Sequence, residues 1–291
     1  MVSKTAFVTC TQFPKLTEDD LLAAKALGEL GVLVEAAIWD DPSVDWSAYS
    51  DVVIRSCWGY HLKPKEFLSW LTILERAGTI VHNPVDVIRR NMEKTYLKEL
   101  QEDGISIVPS LWLASGDKVH IADLLLSQGW QKAVIKPVIS ASAYQTSIIS
   151  LQEEAEAQAM LSNLLNSGAV IIQEFAEEIR TKGEWSLIFF NKEYSHSVIK
   201  RPQQDDFRVQ WEHGGTSAAA VPAPSFVTQA QTIIEMIDAP LLYARVDGVE
   251  RDGQLLLMEL ELIEPFLFFG YNQKAPLSFA SALIEFLAIK E

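Results

Sequence analysis

Leu255-Leu256-Leu257-Met258-Glu259-Leu260-Glu261-Leu262-Ile263-Glu264-Pro265 is the stretch on which the fold turns, and it reads as a β-strand. Side chains alternate between the two faces of a strand. Leu256, Met258, Leu260 and Leu262 therefore share one face, and Leu255, Leu257, Glu259 and Glu261 the other. Two carboxylates side by side in so apolar a setting need a cation or a proton, because burying an unpaired carboxylate is costly. Just upstream, Tyr243-Ala244-Arg245-Val246-Asp247-Gly248-Val249 forms a second strand, joined through Glu250 and Arg251-Asp252-Gly253. A three-residue loop with Gly253 left-handed is a common hairpin form. It predicts Leu257 opposite Asp247 and Glu259 opposite Arg245, so that Arg245, Asp247, Glu259 and Glu261 make one polar cluster. A two-residue Asp252-Gly253 turn puts Asp247 on the apolar face instead. Oxygen donors without His or Cys suit a hard ion, Mg²⁺ or Mn²⁺, and Mg²⁺ typically arrives carrying phosphates. The competing reading is a solvated hairpin whose charges pair across the strands; the apolar opposite face argues against it.

At 291 residues the chain is long for a single core, which predicts two or three lobes of one enzyme-sized unit. A hydrophobic content of 48% indicates packed cores, not disorder. The formal net charge of −15 argues against a nucleic-acid partner, since phosphate backbones need a basic footprint. An anionic ligand would need its positive charge supplied locally. Two cysteines, Cys10 and Cys57, make no disulfide framework and fit a reducing compartment. The apolar run Ala6 to Cys10 reads as a first strand and not a leader, and no segment has the length of a membrane span. The expected location is the cytoplasm, without a membrane partner.

From Thr5 to His82 the pattern is β-α-β-β-α-β, which predicts a parallel α/β sheet. Ligand groups in such sheets gather beyond the carboxyl ends of strands. Arg55 and Trp58, in Arg55-Ser56-Cys57-Trp58-Gly59-Tyr60, occupy that position and are candidate substrate contacts, although the stretch also reads as an ordinary strand-to-loop transition. A helix over Asn91–Glu102 carries Lys94, and a strand is expected near Ile105–Val108. Lys136 lies in the apolar strand Ala133-Val134-Ile135-Lys136-Pro137, followed by the small-residue loop Ser140-Ala141-Ser142-Ala143. Ala169–Phe175 is a strand, and Glu184–Phe190 pairs with Tyr194–Lys200 as a hairpin. Lys200 and Arg201 bring cations into the loop that follows; with Glu264 they complete the candidate substrate contacts. Cys57 beside Trp58 invites a nucleophile reading, but a small buried residue fits better. The exposed aromatics expected at Trp58, Tyr60 and Trp70 are candidates for a homo-oligomer interface.

Taken in order, Lys94, Ile135-Lys136-Pro137, Gln173-Glu174-Phe175-Ala176, Glu184, Phe207-Arg208, His213-Gly214-Gly215, Arg245-Val246-Asp247 and Met258-Glu259-Leu260-Glu261 resemble the ATP-grasp superfamily. Glutathione synthetase and the ribosomal-protein glutamate ligases are similar. The O-ureido-D-serine cyclo-ligase group of D-cycloserine biosynthesis resembles the chain most, sharing a Ser-Ala-Ser loop, a Glu-Trp-Ser strand start and a Glu-Leu-Glu-Leu-Ile-Glu-Pro ending.

The resemblance implies an α/β (α+β) ATP-grasp fold with a preceding α/β domain (1–93), a lid lobe (94–184) and a metal-binding lobe (185–291). It implies ATP and Mg²⁺ (or Mn²⁺) as cofactors. Lys94, Lys136 and Ser142 would hold phosphates, Gln173, Glu174, Phe175 and Ala176 the adenine, and Glu184 the ribose. Asp247, Glu259 and Glu261 would bind metal, and Arg208 and Arg245 would neutralise charge in the transition state. One departure is Glu261, where the glutathione-synthetase pattern has Asn. The implied activity is ATP-dependent ligation of a small-molecule carboxylate to an amine through an acyl phosphate, as a cyclo-ligase on an amino-acid-like substrate. An intermolecular amino-acid or peptide ligase, an ATP-grasp kinase and a non-catalytic nucleotide-binding protein are the alternatives.

Overall fold

The computed structural model describes residues 4–141, 143–204 and 206–288, which build three sheets. The first holds β1 (Thr5–Thr9), β2 (Val34–Ile38), β3 (Asp51–Ile54) and β4 (Ile80–His82), in the order β2-β1-β3-β4 and parallel throughout. Helices α1 (Glu18–Glu29) and α2 (Pro64–Ala77) connect them, as the alternation predicts. The Thr17 hydroxyl caps α1 by accepting from the Asp20 amide. Strand periodicity divides the apolar residues. Ala6, Val8, Val52 and Ile54 pack with Phe67, Leu71 and Leu74 of α2, whereas Phe7 and Val53 face a second core shared with α1 and the C-terminal helix.

The expected Asn91–Glu102 helix is two helices, α3 (Val85–Asn91) and α4 (Tyr96–Glu102). Lys94 sits in the break, where its backbone N–H donates to Val138 O at 2.9 Å and makes no helical bond. The strand expected near Ile105–Val108 is an extended segment with one parallel bridge, Ile107 to Leu257. Pro109 has no N–H to continue a ladder, and regular pairing begins only after it.

The middle sheet holds β5 (Ser110–Leu113), β6 (Lys132–Pro137), β7 (Ser147–Ser150) and β8 (Val170–Glu174), antiparallel in the order β5-β8-β6-β7. Helices α5 (Ile121–Gln128) and α6 (Glu154–Ser167) cover one face, burying Ala133 and Ile135 of β6. Val134 and Lys136 consequently point to the opposite face. The short α7 (Glu178–Thr181) leads out of this sheet.

The third sheet runs β11-β10-β9-β12-β13, made of β9 (Glu184–Phe190), β10 (Glu193–Arg201), β11 (Thr216–Ala219), β12 (Tyr243–Arg251) and β13 (Gln254–Glu261). Its helices are α8 (Pro224–Glu235) and α9 (Ala275–Ala288). The β12–β13 hairpin corrects the expected register. Asp252 and Gly253 both take positive φ (52° and 77°), giving a two-residue turn with Arg251 opposite Gln254. Carried on regularly, that turn would have turned Asp247 to the apolar face. A bulge between Gly248 and Asp247 leaves Met258 without a cross-strand partner and shifts the pairing by one residue. Asp247 then faces Glu259, and Arg245 faces Glu261. The polar cluster forms as expected, but through the bulge and not through a three-residue loop.

Candidate active site

Where the sheets converge lies a cavity of 360 Å³, within the usual range for small-ligand sites. Val134 and Lys136 of β6, Gln173 and Glu174 of β8, Glu184 of β9 and Lys200 of β10 line it, with Arg245 and Asp247 of β12. Along β13 and beyond, the lining passes from the bulged Met258 through Glu259 and Glu261 to Glu264, Phe266 and Phe268. One part is apolar, with Val134, Ala176, Ile179 and Met258. The next is crowded with charge.

That charge is arranged as buried pairs. Lys94 Nζ donates to Glu259 Oε1 and to Ser140 O, both at 2.7 Å. Lys200 bridges Glu184 at 2.5 Å and Asp247 at 3.2 Å. Arg245 holds Asp247 at 2.8 Å and also pairs with Glu261. Lys136 Nζ donates to Gln173 Oε1 at 3.3 Å. Burial raises the proton affinity of Asp247, yet Arg245 and Lys200 outweigh it and hold that carboxyl well below the usual range. Glu261 goes the other way. Burial pushes it up to about 8, with Glu259 and Asp247 repelling its charge, despite Arg245. Burial and the Lys94 charge lower Lys136 to about 8.

The donors Asp247, Glu259 and Glu261 are all oxygen and sit at one end of a hairpin, so their chemistry fits a hard divalent ion. Among the described residues no three His, Cys, Asp or Glu close around an ion by themselves. The set fits an ion that arrives with phosphates, not one enclosed by protein alone.

Most of the expected site residues converge here. Lys94, Lys136, Gln173, Glu174, Ala176, Glu184, Lys200, Arg208, Arg245, Asp247, Glu259, Glu261, Glu264 and Trp58 all line the cavity. Arg208 does so while paired with Asp206 at 2.8 Å. Three expected contacts do not line it. Arg55 is buried in the fold, with Nε donating to Asp20 at 2.9 Å and Nη2 to Pro265 O at 2.8 Å. Arg201 is exposed outside the cavity, and the Phe175 ring is buried 6.2 Å from Phe207. Ser142 lies outside the described residues. Tyr60 and Trp70, expected at a surface, are 5% and 4% exposed and belong to the first core. Cys57 is fully buried and its thiol is pushed up by burial, so it is no nucleophile. Sequence reasoning missed Val134, Ile179, Met258, Phe266 and Phe268. Val134 was within reach, because it alternates with Ala133 and Ile135 beside Lys136.

Two solved structures show the same architecture. An ATP-grasp RimK domain protein from Sphaerobacter thermophilus superposes with a TM-score of 0.71 at 15% identity, covering 98% of this chain and 99% of the other. The D-alanine–D-alanine ligase of Bacillus anthracis gives 0.67 at 13%, covering 97% and 96%. The chain has the ATP-grasp fold. Residues 5–83 match the family described as "D-cycloserine synthetase DcsG, N-terminal domain". The cycloserine biosynthesis protein DcsG of Streptomyces lavendulae is 29% identical over 276 residues, covering 90% of this chain and 91% of that protein. The crystal structure of D-cycloserine synthetase DcsG superposes with a TM-score of 0.88 at 26% identity, covering 98% of this chain and all of the other. Among the described residues no helix is long and apolar enough to cross a membrane.

Proposed function

We propose that this ligase uses Mg²⁺ and ATP to activate the carboxylate of a small amino-acid-like molecule as an acyl phosphate, which a nitrogen of the same molecule then attacks to close a ring. The observation that carries this is the convergence on one cavity of Lys94, Lys136 and the hairpin carboxylates, brought from three separate parts of the chain. Similarity to DcsG along nearly the whole length supports the choice of a D-cycloserine-forming reaction on O-ureido-D-serine.

In this reading Lys94 and Lys136 hold the phosphates as point charges. Val134, Ala176, Ile179 and Met258 sheathe the adenine, and Glu184 reaches the ribose. Asp247, Glu259 and Glu261 would hold Mg²⁺, which when bound would neutralise phosphate charge. Arg245 and Arg208 stabilise charge on the transferred phosphoryl group and on the tetrahedral carbon. The substrate carboxylate oxygen attacks the γ-phosphorus and ADP leaves. The nitrogen then attacks the acyl carbon, loses its proton, and phosphate departs; on O-ureido-D-serine the carbamoyl group borne by that nitrogen is cleaved by one water, leaving as carbon dioxide and ammonia, to give D-cycloserine. Positioning and charge neutralisation do the catalysis. The site has Lys and Arg for this, and among the described residues no activated nucleophile. The small-molecule chemistry and the free thiols Cys10 and Cys57 agree with a cytoplasmic enzyme.

The test is mass spectrometry of purified protein with Mg-ATP and O-ureido-D-serine. A single-substrate ring formed with ADP and phosphate supports the reading. The summed mass of two substrates would replace it with an intermolecular ligase, a stable phosphorylated product with a kinase, and bound but unspent ATP with a binding role. Glu259→Gln removes a metal ligand and the Lys94 partner together, so ADP formation should fall by about a hundredfold or more. Retained turnover would remove the metal site as drawn.

A further inference from the structure

Glu264 differs from the other buried carboxylates of the cavity. Glu184, Asp247, Glu259 and Glu261 each have a Lys or Arg against them. Glu264 lines the same cavity and is 8% exposed, and among the described residues no cation lies within ion-pair reach of its carboxylate. A buried carboxylate without a partner is expensive to keep.

Beyond ion-pair reach, Glu264 feels the charges of Glu259, Lys94 and Arg245, and aromatic rings line the cavity with it. Trp58 and Phe266 lie 6.4 Å apart, Phe266 and Phe268 4.9 Å, and Phe268 and Tyr271 5.6 Å, and all four rings line the cavity. Ring faces attract ammonium groups, most strongly where water is excluded. The segment is also held in place. Tyr243 Oη donates to Ile263 O at 2.8 Å, Trp58 Nε1 to Glu264 O at 3.4 Å, and Arg55 to Pro265 O at 2.8 Å. Three side chains fix three successive carbonyls around one unpaired carboxylate.

We propose that Glu264, in the cavity that Trp58 and Phe266 also line, is the recognition group for the substrate's ammonium. The inference rests on the ligase reading and names its substrate class: an amino acid whose primary amine stays protonated and bound while its carboxylate is activated. The nitrogen that forms the new bond is then a different, uncharged one. Glu264 is a specificity-determining binding residue of the acyl half-reaction.

The experiment traps the acyl phosphate with hydroxylamine, which reads carboxylate activation whatever the natural acceptor. Wild-type protein with Mg-ATP is given O-ureido-D-serine, D-serine and the des-amino analogue of O-ureido-D-serine, and the same set is run with Glu264→Gln. The expected wild-type preference for the amino acid over its des-amino analogue is about ten- to a hundredfold in kcat/KM, the range for a hydrogen bond to a charged group. Glu264→Gln should raise KM for the amino acid by a similar factor, leave KM for ATP unchanged, and bring the preference close to one. Equal wild-type activation of the amino acid and its des-amino analogue overturns the inference and leaves the ligase reading intact. A Glu264→Gln protein that keeps the wild-type preference also overturns it. No hydroxamate from any carboxylate, with Mg-ADP still bound, overturns the ligase reading and the inference with it.

Discussion

Asp19 on α1 is 8% exposed, and its Oδ1 accepts the Gly270 N–H at 3.2 Å, whereas Oδ2 is buried without a hydrogen-bond partner among the described residues. Burial pushes this carboxyl up to about 6. Between its unfolded and folded values the native state binds the extra proton, so stability falls as pH rises through that window, from about 4 to about 6. Asn cannot ionise and can still accept from Gly270. Asp19→Asn should therefore match wild type near about pH 4 and be more stable near about pH 7, by at most about 3 kcal/mol. Urea denaturation at the two pH values checks this, and an equal difference at both would refute it. At this scale the sequence was legible where a residue's type and its strand neighbours agreed. Lys136 could be placed because it interrupts apolar alternation. Arg55 could not: the same position beyond a strand serves a ligand or a buried brace, and only tertiary partners, Asp20 and Pro265, decide. Trp70 failed for a related reason, since the helical stripe that buries it reads equally well as an outward aromatic.

The β12–β13 hairpin shows how an element can be read correctly in outcome and wrongly in route. Two acidic positions on an apolar strand demanded a shared polar face, and that demand was met. The turn type was not legible, because Asp252 tolerates the left-handed conformation, and nothing local marks Met258 as a bulge. Gly248 is the residue that permits it. A Cβ there would meet Leu256 O at 2.5 Å, a backbone atom that cannot swing aside. Gly248→Ala should destabilise the protein by about 1–3 kcal/mol, as overpacking does. It should also raise KM for ATP, because Met258 and Glu259 move with the bulge. Denaturant midpoints with ATP-saturation kinetics measure both, and an unchanged KM would dissociate the bulge from the site. Strands β7 and β11 escaped the sequence altogether. Each is four residues long, and β11 is polar and exposed, so alternation had too little to register.

At the scale of the whole molecule, the net charge of −15 leaves anion binding to local cations, and those cations come from distant parts of the chain. Arg251 of β12 reaches Glu174 of β8 and Glu178 of α7, both at 2.6 Å, while Lys94 reaches Glu259. A ligand held between such parts ties them together. Mg-ADP at a hundred times its Kd should stabilise the fold by about 2.7 kcal/mol. Chelating the metal with ADP still present should remove much of that gain; a thermal shift insensitive to chelation would contradict metal-assisted binding. The order of the three sheets along the chain was legible because the motifs follow one another. The contacts between sheets were not, since each joins residues far apart in sequence.

In the proposed mechanism the cavity spends ATP to activate a carboxylate. The most direct measurement gives the enzyme O-ureido-D-serine labelled with heavy oxygen in its carboxylate and follows the label by mass spectrometry. An acyl phosphate predicts one labelled oxygen in each phosphate released. Phosphate released without label during turnover would mean that the carboxylate never reached the γ-phosphorus, and would contradict the mechanism.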